Sequence, residues 1–122
     1  MTEARDRDGM RRVFALRNLT MLPYDLDGPL QENMSYAPLS YDAGTERGSY
    51  LMRMEPGAET IHHTHASREE FFVLEGRVIE SDGTILESGD WIVYEPGSDH
   101  HTRTDTGCLL LGLDWDPASA RA

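Results

Sequence analysis

At 122 residues the chain has the size of one domain, which buries about two thirds of its unfolded surface and needs no disulfide staple; its one cysteine, Cys108, could form none within the chain. A net charge of −11 repels phosphate backbones and anionic headgroups, which sets nucleic acid and membranes aside as partners. The sequence has no lysine, so Schiff-base and lysine-nucleophile chemistry are excluded; no apolar run nears the ~20 residues of a bilayer span, and a cytoplasmic protein is the expectation.

Residues 1–12 are charged and lack apolar periodicity, which predicts a flexible N-terminal arm. A single domain is expected over 13–116, followed by a short tail over 117–122. Val13 to Asn18 reads as a first strand ending near Pro23, and Tyr24–Pro29 (YDLDGP) as turn chemistry. Short segments then alternate with turn signals, and no window holds a helical period. Strands are predicted at 33–40, 48–55, 59–65, 69–75, 77–81, 84–86, 91–95, 100–104 and 108–114. The intervening turns include Glu55-Pro-Gly57, Ser81-Asp-Gly83 and Glu95-Pro-Gly97. Only 39% of residues are apolar, which suits strands with one buried and one wet face, and many short strands imply an all-β sandwich or barrel.

All five histidines fall in two short segments, His62, His63 and His65 in one and His100 and His101 in the other. On a strand, residues two apart share a face, so His63 and His65 project together while His62 points away. Glu69 follows the connection Ala66-Ser-Arg68; if that connection reverses the chain, its carboxylate begins the next strand beside the imidazoles. His100, from a separate strand, supplies a fourth ligand, with its neighbour His101 as the alternative. Imidazole and carboxylate donors without thiolate suit one divalent ion per chain, such as Fe, Zn, Mn or Ni, and an octahedral ion held by four protein ligands keeps two positions open.

The same parity puts Phe71 and Val73 on the face of Glu69 and turns Phe72 and Leu74 outward. Glu59 shares the face of His63 and is a candidate hydrogen-bond partner of the ligands; Tyr50, Met52 and Met54 alternate along one strand, with Tyr50 placed to orient a substrate in a pocket. Cys108 reads as a small buried residue without a base to activate it.

These residues resemble the two motifs of the cupin superfamily, G(X)5HXH(X)3-4E(X)6G and G(X)5PXG(X)2H(X)3N. The first is met by Gly57, His63, His65, Glu69 and Gly76. In the second, Gly89, Gly97 and His100 fall in place, while Glu95 stands at the Pro position, with Pro96 next to it, and Thr104 at the Asn position. The runs EEFFVLEG and PGSDHHT and the pair Gly107-Cys108 are most similar to the ChrR-like cupins, the domain also found at the C-terminus of some anti-sigma factors. The resemblance spans about residues 48–114 and implies a double-stranded β-helix (jelly-roll) barrel, a metal ion held by His63, His65, Glu69 and His100, and a homodimer.

The leading functional expectation is a metal-dependent oxidoreductase of the dioxygenase type, with iron as the ion and a small enolisable or phenolic compound as substrate. The alternative is a metal or small-ligand binding sensor without turnover. The helical zinc-binding domain that precedes the cupin in anti-sigma factors carries His and Cys ligands, and residues 1–47 contain neither. A metal-independent sugar epimerase or isomerase would use His and Tyr as acid and base, and four metal-ligating side chains argue against it.

Overall fold

The computed structural model describes residues 9–117; the expected arm lies outside them through residue 8, and the expected tail from residue 118 onward. The described chain is all β, with one 3-10 turn at Leu16–Asn18. Ten strands follow: β1 (Leu22–Tyr24), β2 (Gln31–Pro38), β3 (Gly48–Met54), β4 (His63–Thr64), β5 (Arg68–Glu80), β6 (Ile85–Glu87), β7 (Trp91–Tyr94), β8 (Asp99–His100), β9 (Thr102–Arg103) and β10 (Cys108–Trp115). No helix among the described residues is long and apolar enough to cross a membrane.

An eight-stranded antiparallel sheet runs β1-β2-β3-β10-β5-β6, with β7 and β9 also on β5, and a separate two-stranded ladder joins β4 to β8. The 13-residue β5 serves two walls: Glu69–Phe72 pair with β7, and Arg77–Glu80 pair with β6 and β9. Along β10, the register passes from Leu109 opposite Glu75 to Leu110 opposite Val73, leaving Leu74 as an extra residue. Such a bulge bends the strand and inverts its alternation. Buried positions on β5 accordingly switch from odd (Phe71, Val73) to even (Val78, Glu80). Gly76, at φ +83°, sits beside it, where a Cβ would lie 2.0 Å from the Gly107 carbonyl oxygen.

The expected segments 69–75 and 77–81 are therefore one continuous strand. The strand expected over Val13–Asn18 is replaced by the 3-10 turn, and the first strand lies at Leu22–Tyr24, where Pro23 is accommodated because β1 is an edge. The expected 59–65 strand shortens to β4, and 100–104 divides into β8 and β9.

Met34, Met52, Met54, Phe71, Val73, Val78 and Leu110 fill the interior, with Cys108 buried beside them. Tyr24 and Tyr50 close this core toward the mouth where the histidines gather. On the opposite face of the sheet, Leu51 and Leu74 line a surface groove with Phe14, Leu16 and Leu19 of the N-terminal segment. Phe72 faces outward against Trp91, their rings 5.7 Å apart.

Candidate metal centre

Three parts of the fold bring the four residues together. His63 lies directly opposite His100 in the β4–β8 ladder, so a single cross-strand pair contributes two imidazoles. His65, one residue past β4, is anchored by its backbone to the Glu95–Ser98 turn: its N–H donates to the Ser98 carbonyl (2.8 Å) and its carbonyl accepts from Gly97 N–H (2.9 Å). Glu69 opens β5, opposite Tyr94 of β7 and Asp114 of β10. The connection Ala66-Ser-Arg68 forms no hairpin, since β4 pairs with β8 and β5 with β7 and β10. Glu69 reaches the imidazoles from a different sheet.

One ligand atom from each of His63, His65, Glu69 and His100 lies within 4.8 Å of the others. The three ring centroids are 4.7–4.9 Å apart. His65 and His100 are buried, and His63 is half-buried at the entrance.

The hydrogen bonds behind the rings define what the front can bind. Nδ1 of His63 lies 3.1 Å from the Ile61 carbonyl oxygen, and Nδ1 of His100 lies 2.6 Å from Glu80 Oε1. Nδ1 of His65 lies 3.0 Å from Ser98 Oγ, whose own hydrogen is donated to the Glu95 carbonyl (2.6 Å). Each Nδ1 thus faces an acceptor, which places the proton of a neutral ring on Nδ1 and leaves a lone pair on Nε2. Three Nε2 lone pairs and the Glu69 carboxylate then point at one spot. Lone pairs converge stably only around a proton or a cation. Nε2 of His63 is buried and has no hydrogen-bond partner, so this donor set fits a metal ion.

The charges agree. Burial opposes ionisation of Glu69, but hydrogen bonds from His100 and His65 overcome it and hold the carboxyl down to about 2. Burial also opposes charge on His100, yet its bonds to Glu69 and Glu80 prevail and raise it to about 9. Without an ion, a proton held between these imidazoles and Glu69 takes the spot where the ligand atoms meet, and a divalent ion would take its place.

Glu80 is the functional residue that sequence reasoning misses. It is 3% exposed and receives three hydrogen bonds, from His100 Nδ1 (2.6 Å), Tyr94 Oη (2.5 Å) and Thr102 Oγ1 (2.6 Å). The Tyr94 ring packs 4.1 Å from that of His100 and 5.1 Å from that of His65. Burial, followed by the neighbouring Glu80 carboxylate, pushes the Tyr94 phenol well above its usual range and keeps it a donor.

Other expected positions divide. Tyr50 and Phe71 are buried and line a water-sized void of about 20 Å³ beneath His63, Glu69 and His100. Glu59 is displaced from its expected place beside the ligands: it lies on the surface, its Oε2 3.8 Å from His101 Nε2. The run before β4 is not a strand, so parity fails there, and Thr60 takes the inward position. His62 and His101 both face away from the cluster, and His100 is the inward member of its pair. Above the ligands, a cavity of about 130 Å³ opens to solvent between His63, His65 and Glu69 on one side and Asp27, Tyr41 and Asp114 on the other. Burial, then the charges of Glu69 and Asp27, lift the Asp114 carboxyl to about 8.

The ChrR cupin-like domain matches residues 27–115. A structure assigned as ethanolamine utilization protein Q from Salmonella typhimurium LT2 superposes at TM-score 0.77 with 19% identity over 94% of both chains. The complex of Rhodobacter sphaeroides SigE with the anti-sigma ChrR gives 0.61 and 20% identity, over 70% of this chain and 47% of that one. An acetylacetone dioxygenase from Acinetobacter johnsonii gives 0.58 and 15% identity, over 66% and 59%. No curated protein sequence matches the chain. At these identities the solved structures establish the jelly-roll cupin fold, and the span of the domain match establishes the family: the chain belongs to the ChrR cupin-like family.

Proposed function

We propose that the protein is a metal-dependent enzyme of the dioxygenase type that acts on a small enolisable or phenolic compound, with His63, His65, Glu69 and His100 as ligands of one divalent ion. The observation that carries this reading is the set of three imidazoles, each held from behind at Nδ1, whose Nε2 atoms converge with a carboxylate below an open cavity of about 130 Å³. A structural ion needs no cavity over it; a cavity of this size accepts a molecule of several heavy atoms beside the ion. A bound divalent ion would supply Lewis acidity, and iron would add chemistry with dioxygen.

The chain's own residues supply the rest. Glu80 and Ser98 fix two of the rings, and the buried Phe71 and Met52 exclude bulk water from below. Asp114, at the cavity wall opposite Glu69, is placed to accept or return a substrate proton. The similarity to an acetylacetone dioxygenase supports the substrate class. The test is oxygen uptake by iron-loaded protein across a panel of diketones and catechols, run beside His63→Ala and elemental analysis of both. Substrate-dependent uptake by the wild type and its loss together with the metal in the variant is expected; iron-loaded wild type that consumes no oxygen with any substrate sinks the enzymatic reading.

The sensor reading draws on one observation, the similarity to the ChrR half of a sigma-factor complex. A stable complex between this chain and a sigma factor, detected by co-elution, would place that reading first.

A further inference from the structure

Two histidine pairs gather at the β4–β8 ladder, one within it and one just beyond its end, and the candidate metal centre uses the first. His63 and His100 are directly opposed and point inward. His62 immediately precedes β4 and His101 immediately follows β8, so the two stand just outside the ladder, with ring centroids 5.7 Å apart. Each carries a carboxylate on its flank: Asp99 Oδ2 is 2.8 Å from His62 Nε2, and Glu59 Oε2 is 3.8 Å from His101 Nε2. Among the described residues, neither carboxylate is ion-paired with an arginine; the paired arginines are engaged by Asp116, Glu95 and Asp105. Nδ1 of His101 is buried without a partner.

We propose that His62, His101, Asp99 and Glu59 form a second divalent-cation site, at the end of the ladder and turned away from the first. Two imidazoles this close chelate a first-row ion of the Ni, Cu or Zn type by rotation of their side chains, their backbone positions being set by the adjoining His63–His100 pair. Both side chains have room to turn: that of His62 is 58% exposed and that of His101 36%. The two carboxylates supply negative charge and oxygen donors where the protein's arginines do not neutralise them. Solvent exposure makes the outer site weaker than the buried inner one, so the two separate in a titration. The outer site does not depend on the enzymatic reading of the inner one.

The experiment is calorimetric titration of the full, chelator-stripped chain with Zn2+. Two classes of site are expected, one tight and one weaker. His62→Ala/His101→Ala removes the weaker equivalent and leaves the tight one, which also shows that the barrel is intact. His62→Ala alone weakens the outer equivalent at least about tenfold, since a chelate becomes a single donor. Asp99→Asn lowers it about tenfold, the scale on which neighbours of a ligating histidine act. His65→Ala/Glu69→Ala removes the tight equivalent and spares the weaker one, so loss of the inner site and loss of the outer one are told apart. The proposal is overturned if no equivalent is lost in His62→Ala/His101→Ala, whatever the behaviour of the inner site.

Discussion

Glu80 offers the sharpest test of how the centre is held, because it touches no cavity and would bind no ion, yet it receives three buried hydrogen bonds from His100, Tyr94 and Thr102. Glu80→Gln keeps the shape. Its amide oxygen can take the place of Oε1 and retain both His100 and Tyr94, while its NH2 faces Thr102, whose hydroxyl can rotate to accept. What disappears is the negative charge behind the imidazole, which orients the ring and raises the basicity of Nε2. Losses of this kind weaken metal affinity by about 10–100-fold, or about 1.4–2.8 kcal/mol. Replacing a charged acceptor with a neutral one removes a further ~1 kcal/mol from the stability of the metal-free fold. Glu80→Ala goes further: Thr102 Oγ1, 3.2 Å from His100 Nδ1, can still accept from the ring, but two donors lose their partner at about 1–3 kcal/mol each, and stability falls by at least ~2 kcal/mol. The assay is competition for Zn2+ against a chromophoric chelator, with urea denaturation of the same samples and the exposed Glu87→Gln as control. If Glu80→Gln binds Zn2+ as tightly as the wild type while remaining folded, Glu80 does not position His100 and the account of the ring anchors is wrong.

Three further outcomes follow from the same geometry. Gly76→Ala forces a side chain onto a backbone at φ +83° with its Cβ 2.0 Å from the Gly107 carbonyl, and a loss of about 3 kcal/mol or more is expected in urea unfolding. Leu110→Ala empties a fully buried position in the barrel and lowers stability by about 2–5 kcal/mol without changing the number of metal equivalents bound. Burial lifts the Cys108 thiol to about 11 from an ordinary 9, although a hydrogen bond with Thr104 pulls the other way. The folded chain should therefore resist iodoacetamide at mildly alkaline pH and react only on unfolding. Because the unfolded thiol ionises first, stability falls as pH climbs from about 9 to about 11, and Cys108→Ala flattens that slope.

The cluster of His63, His65, Glu69 and His100 was legible because its residues sit at the ends of regular structure or beside tight turns. His63 and His65 obey a two-residue alternation, Gly97 turns the chain just before His100, and Pro-Gly or Asp-Gly pairs lie in four of the nine connections between strands. Where the backbone departs from regular strand, the same rule misleads. Glu59 was expected inward by counting back from His63, but the hydrogen-bonded ladder begins only at His63, and the residue that turns inward is Thr60. Nor did spacing reveal that Glu69 arrives from the other sheet; a three-residue gap is compatible with a hairpin, and strand pairing is decided by contacts far away in sequence.

Glu80 shows the same limit in a more consequential form. Counting by twos from Glu69 leads to Phe71, Val73, Glu75, Arg77 and Ile79, which would leave Glu80 on the solvent face, an ordinary place for an acid beside the Ser81-Asp-Gly83 turn. The extra residue at Leu74 resets the count, so Val78 and Glu80 turn inward instead. The cue was present in Gly76, a glycine in mid-strand, whose positive φ lets β5 pass against Gly107 as it moves from one wall of the barrel to the other. One backbone feature thus accounts both for the closure of the barrel and for a carboxylate behind His100. It follows that Gly76→Ala should perturb the metal centre as well as the fold: whatever fraction of that variant remains folded is expected to bind Zn2+ more weakly than the wild type. Unaltered affinity in that folded fraction would separate the bend from the position of Glu80.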